Sequence, residues 1–109
     1  MPRIIAVDFD GCLVEDAYPE IGEPIAETVA KLKREQCHGA KVILWTCRAE
    51  AHLADAVEWC KTNGIRLDAV NENLLEVIWK YGGDTRKIFA DEYWDDRAVR
   101  MPKEDTEDT

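Results

Sequence analysis

Apolar residues in this chain follow two patterns that alternate. Ile4-Ile5-Ala6-Val7 and Val42-Ile43-Leu44-Trp45 are unbroken runs, as in strands buried on both faces. Elsewhere apolar positions recur at helical spacing: Ile25, Val29 and Leu32, then Leu53, Ala56, Val57 and Cys60, then Leu74, Leu75, Val77 and Ile78. The runs predict one strand at Ile4 and a second from Lys41 to Trp45. The spacing predicts a first helix from Pro24, whose missing N–H costs nothing in a first turn, to about Cys37, with Gly39 as its stop. A second helix covers Glu50 to Thr62 and ends at Asn63-Gly64. A short third helix runs to about Tyr81, with Asn71 or Asn73 as its cap and Gly82-Gly83-Asp84 as the turn behind it. Ile65 to Val70 reads as a weak third strand, and a fourth lies within Ile88 to Trp94. Residues 12–23 form a loop, and the acidic stretch after Met101 is expected to be disordered.

Strands that alternate with helices imply an α/β domain: a three-layer Rossmann-like fold with a small parallel sheet and helices on both faces. The domain is expected to span residues 1–101, with 102–109 as a tail. Right-handed crossovers put every strand's carboxyl end on one edge. Asp8 and Asp10, Thr46, and Asp95 and Asp96 each follow a predicted strand, so residues scattered in sequence converge on that edge. Asp8 and Asp10 stand at i, i+2 and project to one side if the strand's alternation continues. Carboxylates have no place inside a buried strand, but open α/β sheets take their ligands at strand tips. Two of them converging there point to a divalent cation, to acid/base chemistry, or to both.

Composition narrows the chemistry. At 109 residues and 46% hydrophobic, the chain fills one ordinary globular domain. A net charge of −9 argues against a non-specific nucleic-acid platform, which runs on excess Lys and Arg. It leaves open an anionic substrate reached through a metal ion. Cys12, Cys37, Cys47 and Cys60 form no C-x-x-C pair, and His38 and His52 lack zinc-finger spacing, so free thiols in a reducing cytoplasm are expected. No signal peptide is visible, and no apolar run approaches the roughly 20 residues of a membrane span.

These residues carry a resemblance to a known family. Asp8-Phe9-Asp10-Gly11-Cys12 resembles the first motif of the haloacid dehalogenase-like (HAD) superfamily of phosphohydrolases, Asp-x-Asp-Gly-Thr. That family's second motif is a strand ending in Ser or Thr, and Val42 to Thr46 is similar to it. Its third is a single lysine, for which Lys87 stands with Lys80 as a rival, and its fourth is an acidic cluster after a strand, like Asp95-Asp96. All four motifs follow in order between Ile4 and about Ala98.

The resemblance implies a Mg²⁺-dependent phosphatase acting on a phosphomonoester. Asp8 would be the nucleophile, and Asp10 would protonate the leaving oxygen and then activate water. Thr46 and Lys87 would hold the phosphoryl group. Asp8, Asp10 through its backbone carbonyl, and Asp95 or Asp96 would hold the metal. Arg48 follows Thr46 closely enough to touch substrate. The acid at Asp10 is similar to that of phosphatases and mutases and unlike the dehalogenases. Cys12 departs from the usual Thr, which removes a hydroxyl hydrogen bond. The spacing leaves no room for a cap domain, so the expected site is open; it admits bulky substrates, or borrows a lid from a partner subunit in a homo-oligomer. The competing readings are an acidic module that accepts phosphate, like a receiver domain, and a binding or regulatory protein that has lost turnover. In a receiver the acceptor aspartate ends a central strand, where this chain has Thr46. Asp91 is either a third acidic member or a strand-flanking residue. Asn71 and Asn73 are read as caps, and Trp45, Trp59, Trp79 and Trp94 as core.

Overall fold

The structure, a computed structural model, describes residues 2–102. Four strands and three helices alternate along the chain: β1 (Ile4–Val7), α1 (Ala26–Cys37), β2 (Lys41–Leu44), α2 (Glu50–Thr62), β3 (Ala69–Val70), α3 (Leu75–Tyr81) and β4 (Glu92–Trp94). All pairings are parallel, in the order β3-β2-β1-β4, with Ile5 of β1 opposite Val42 on one side and Glu92 on the other. The chain winds outward through β1, β2 and β3, then returns across the sheet to lay β4 on the other side of β1. Right-handed crossovers require the helix of that return to lie on the opposite face, and the core divides accordingly. Ile5, Val7, Val42 and Leu44 pack with Leu32 of α1 and with Ala56 and Cys60 of α2. Ile4, Ala6 and Ile43 pack with Val77 of α3 and with Leu74, Ile88 and Ala90. The fold is thus the expected three-layer α/β architecture, and each strand's two-sided burial explains why its sequence is a continuous apolar run.

The ends of the elements differ from the expectation, each for a local reason. Pro24 lies outside α1: it bridges to Val14 in antiparallel fashion, so residues 13–25 fold back as a hairpin and the helix begins at Ala26. Neither Asn71 nor Asn73 caps α3, whose N-cap is Leu74. β3 shrinks to two residues because Ile65 donates its N–H to Cys60 O and serves as the exit of α2. Aspartates do the ladder's work at the amino edge. Asp68 exchanges both bonds with Val42, its N–H donating to Val42 O and its carboxylate accepting from Val42 N–H at 2.8 Å. Asp91 does the same with Ile4, accepting its N–H at 2.7 Å, so it is a strand-flanking residue and not part of the acidic rim. Trp45, Trp59 and Trp94 pack against the two cores, whereas Trp79 is 86% exposed on the outer side of α3. The tail beyond Pro102 lies outside the described residues. No helix among the described residues is long and apolar enough to cross a membrane.

Candidate active site

The winding reverses at β1, and open α/β sheets bind ligands where strand order reverses, outside the strands' carboxyl ends. In this chain that point lies between the tips of β1 and β4. An open cleft of about 500 Å³ occupies it, lined by Asp8, Asp10, Asp16, Tyr18, Thr46, Cys47, Arg48, Asp95, Asp96 and Arg97. Its floor is held by the sheet itself: Asp8 N–H donates to Trp94 O and Trp45 N–H to Val7 O, each at 2.9 Å.

Asp8, Asp95 and Asp96 each offer a carboxylate oxygen within 4.8 Å of the others. Gly11 makes this approach feasible. Its φ is +83°, a conformation that costs glycine little, and a Cβ at that position would overlap the Asp96 carboxylate. The glycine after Asp10 therefore serves both the turn and the packing of the acidic group. Asp95 is fixed in part by the N–H of Arg97, which donates to its Oδ1 at 3.0 Å. The Asp8 carboxyl is pushed up to about 6, first by burial and then by the negative charges of Asp95, Asp96 and Asp10; the Phe9 N–H donating to Oδ1 at 2.7 Å opposes the shift. Burial and nearby like charges both disfavour the ionised carboxylate, and a cation bound beside it would favour it.

Asp10 lies in the same cleft but faces the other way. The chain turns sharply after Phe9, whose carbonyl accepts the N–H groups of Cys12, Leu13 and Val14. That turn breaks the strand's alternation, and Asp10 stands outside the group formed by Asp8, Asp95 and Asp96. Its two oxygens accept from Arg48, Oδ2 from Nε and Oδ1 from Nη2, each at 2.7 Å. The Arg48 side chain is 1% exposed. Its remaining N–H groups donate to the carbonyls of Pro19, His52 and Glu20. A guanidinium has five donors, and all are committed to the protein. Arg48 is therefore a clamp that joins Asp10, the hairpin of residues 13–25 and the first turn of α2; the expectation of a substrate contact is corrected, because no donor is left for one.

Thr46 keeps a donor to spare. Its Oγ1 accepts the N–H of Arg48 at 3.1 Å, which leaves the hydroxyl hydrogen free to donate into the cleft. Its own N–H donates to Asn71 Oδ1 at 2.8 Å. Asn71 is thus a brace between the tips of β2 and β3, and its left-handed φ of 54° is one that asparagine tolerates. Asn73 is buried and pins the segment before β4, donating to Asp84 and Thr85 and accepting from Phe89 N–H. Lys87 does not line the cleft; its Nζ lies 5.9 Å from the centre of the Tyr93 ring, and it borders a separate groove with Val77 and Phe89. Lys80 does not line the cleft either; it lies in the last turn of α3 and borders a small groove with Pro2 and Asp91. Neither lysine is among the groups that act on Asp8.

At Cys12 the expected loss of a hydrogen bond is partly made good. The Sγ donates to Trp94 O at 3.5 Å, tying the turn after β1 to the residue before Asp95. Burial and the nearby aspartates push the thiol up to about 12, so it is no nucleophile. Among the residues that sequence reasoning missed, Arg97 follows the acidic pair directly, Tyr18 sits in the loop opposite, and Asp16 accepts the Tyr18 N–H at 3.3 Å. Only the adjacency of Arg97 to Asp95-Asp96 could have drawn notice to it.

No family model matches this chain, and no curated protein does. Among solved structures, it is similar to a conserved protein coded by a locus of Bacteroides thetaiotaomicron, with a TM-score of 0.80 and 40% sequence identity over 94% of this chain and 84% of that one.

Proposed function

The chain belongs to one family with this conserved Bacteroides thetaiotaomicron protein, and we propose that it is a Mg²⁺-dependent phosphatase that hydrolyses a phosphomonoester through an aspartyl-phosphate on Asp8. The observation that carries the reading is the convergence of Asp8, Asp95 and Asp96 within 4.8 Å, at the reversal point of the sheet. Three hard anionic oxygens suit Mg²⁺, and the raised proton affinity of Asp8 is what a neighbouring cation would relieve. The motifs that resemble those of the HAD-like phosphohydrolases supply the same residues in the same order, and no cap stands over the cleft among the described residues.

In this reading Asp8, Asp95 or Asp96, and the Asp10 carbonyl hold the metal. Bound there, Mg²⁺ supplies the charge neutralisation that lets a phosphoester dianion approach a carboxylate. Asp8 Oδ attacks phosphorus while the bond to the leaving oxygen breaks. Thr46 donates its hydroxyl hydrogen to a phosphoryl oxygen. Asp10, held as a carboxylate by Arg48, first takes up a proton from solvent and gives it to the leaving oxygen; the carboxylate so regenerated then takes a proton from the water that hydrolyses the acyl phosphate and frees Asp8. Because both Asp10 oxygens accept from Arg48, each proton movement loosens one arm of that fork. The open cleft takes a small or a macromolecular phosphoester, and a lid, if one is needed, comes from a partner.

The test is phosphate release from 4-nitrophenyl phosphate, with and without Mg²⁺, by the parent chain and by Asp8→Asn. Turnover is expected to require Mg²⁺ and to fall roughly 10⁴-fold in the variant, the scale seen when a nucleophile is removed. Turnover that survives in folded Asp8→Asn would overturn the mechanism. A folded parent that binds Mg²⁺ at the acidic rim but hydrolyses none of a panel of phosphoesters would favour an acidic binding or regulatory module.

A further inference from the structure

We propose that Arg97 is the phosphate-binding cation of the cleft. The inference rests on the phosphatase reading and adds to it a residue that the resemblance does not supply. Five acidic side chains line the cleft (Asp8, Asp10, Asp16, Asp95 and Asp96) against two arginines. A phosphoester dianion entering such a cleft needs, besides a metal ion, a positive side chain with donors to spare. Arg48 has none, since each of its N–H groups is met by a protein oxygen. Lys87 and Lys80 stand outside the cleft, over the rings of Tyr93 and Tyr81. Arg97 lines the cleft, and among the described residues its guanidinium has no hydrogen-bond or ion-pair partner.

Its backbone is nonetheless anchored. The Arg97 N–H is held by Asp95 Oδ1 at 3.0 Å, so the residue is fixed at the rim next to the acidic group while its side chain remains free to fork onto a phosphoryl group. A planar guanidinium can donate two parallel hydrogen bonds to phosphate, which a lysine cannot. Placement directly after Asp95-Asp96 also makes a single turn of chain supply both the metal's ligands and the phosphate's counter-charge.

The probe is inorganic phosphate, the product of the proposed reaction, titrated by calorimetry into the full chain in the presence of saturating Mg²⁺. It does not require turnover. Arg97→Gln is expected to weaken phosphate binding about 10- to 30-fold, the size of a lost charge-assisted pair, and to raise the KM for 4-nitrophenyl phosphate in parallel. Arg97→Lys should recover part of the loss. Mg²⁺ affinity in the variant should stay within about twofold of the parent, and Arg86→Gln, which removes the same charge elsewhere, should change phosphate binding less than about twofold. The proposal is overturned if Arg97→Gln binds phosphate as the parent does, if Lys87→Gln alone causes the loss, or if the parent binds no phosphate. A parent whose Mg²⁺-dependent turnover is abolished by Asp8→Asn but untouched by Arg97→Gln would sink this assignment and leave the phosphatase reading standing.

Discussion

Arg48→Met is expected to cost about 3–5 kcal/mol of folding stability and to lower Tm by roughly 15–20 °C. The substitution keeps much of the side chain's apolar bulk but strands the oxygens that the guanidinium serves. Asp10 would be left as a partly buried carboxylate without its partner, and the carbonyls of Pro19, Glu20 and His52 would each lose a donor. Uncompensated charge of this kind is costlier than the intact pair is stabilising, so the double variant Arg48→Met/Asp10→Asn should recover part of the loss. Arg48→Lys should also be destabilised, since an ammonium carries three donors and no fork. The loss is a large fraction of what an average domain has to spare. Thermal unfolding of the four chains measures it; a drop of less than about 5 °C in Arg48→Met would mean the clamp is not structural.

Asp8→Asn is expected to do the opposite, raising metal-free stability at pH 7.5 by roughly 1–2 kcal/mol, or about 5–8 °C in Tm, while abolishing turnover. The Asp8 carboxyl titrates near 6 in the folded chain against an ordinary 3.8, so the folded state holds the proton more tightly than the unfolded one. Its contribution to stability is intact below about pH 4, is lost as pH rises through about 6, and is fully lost above that. The full shift would correspond to a larger penalty, but Asp8 is only half-buried and solvent screens part of it. Asparagine has nothing to titrate. The difference in Tm between variant and parent should therefore be small at pH 4 and open between pH 4 and 7. Mg²⁺ should narrow it by stabilising the parent and not the variant. A difference that does not change with pH would remove burial and the aspartate cluster as the source of strain.

Much of this arrangement was legible in the residues. Runs such as Val42-Ile43-Leu44 announce strands covered on both faces, and their alternation with helical spacing led to the parallel sheet and to the shared edge where Asp8, Thr46 and Asp95-Asp96 meet. What escaped reading depends on contacts distant in sequence. Arg48 reads from its place after Thr46 as a residue within reach of substrate; only the return of residues 19 and 20 to the same spot turns it into a clamp. Asp10 seemed a twin of Asp8 by period, but the turn after Phe9 rotates it toward Arg48. Asp68 and Asp91 act as backbone partners at the opposite edge, which no local pattern distinguishes from surface charge. Pro24 illustrates the limit of propensity: it is suited to a helix's first turn and was taken instead by the bridge to Val14.

Chemistry at Asp8 is tested most directly by quenching the chain in acid during turnover of a ³²P-labelled phosphomonoester and locating the label. A hydroxylamine-labile phosphoryl group on Asp8, formed only with Mg²⁺ and absent in Asp8→Asn, is the predicted result. Steady turnover with no label on the protein, or label on any other residue, would contradict it.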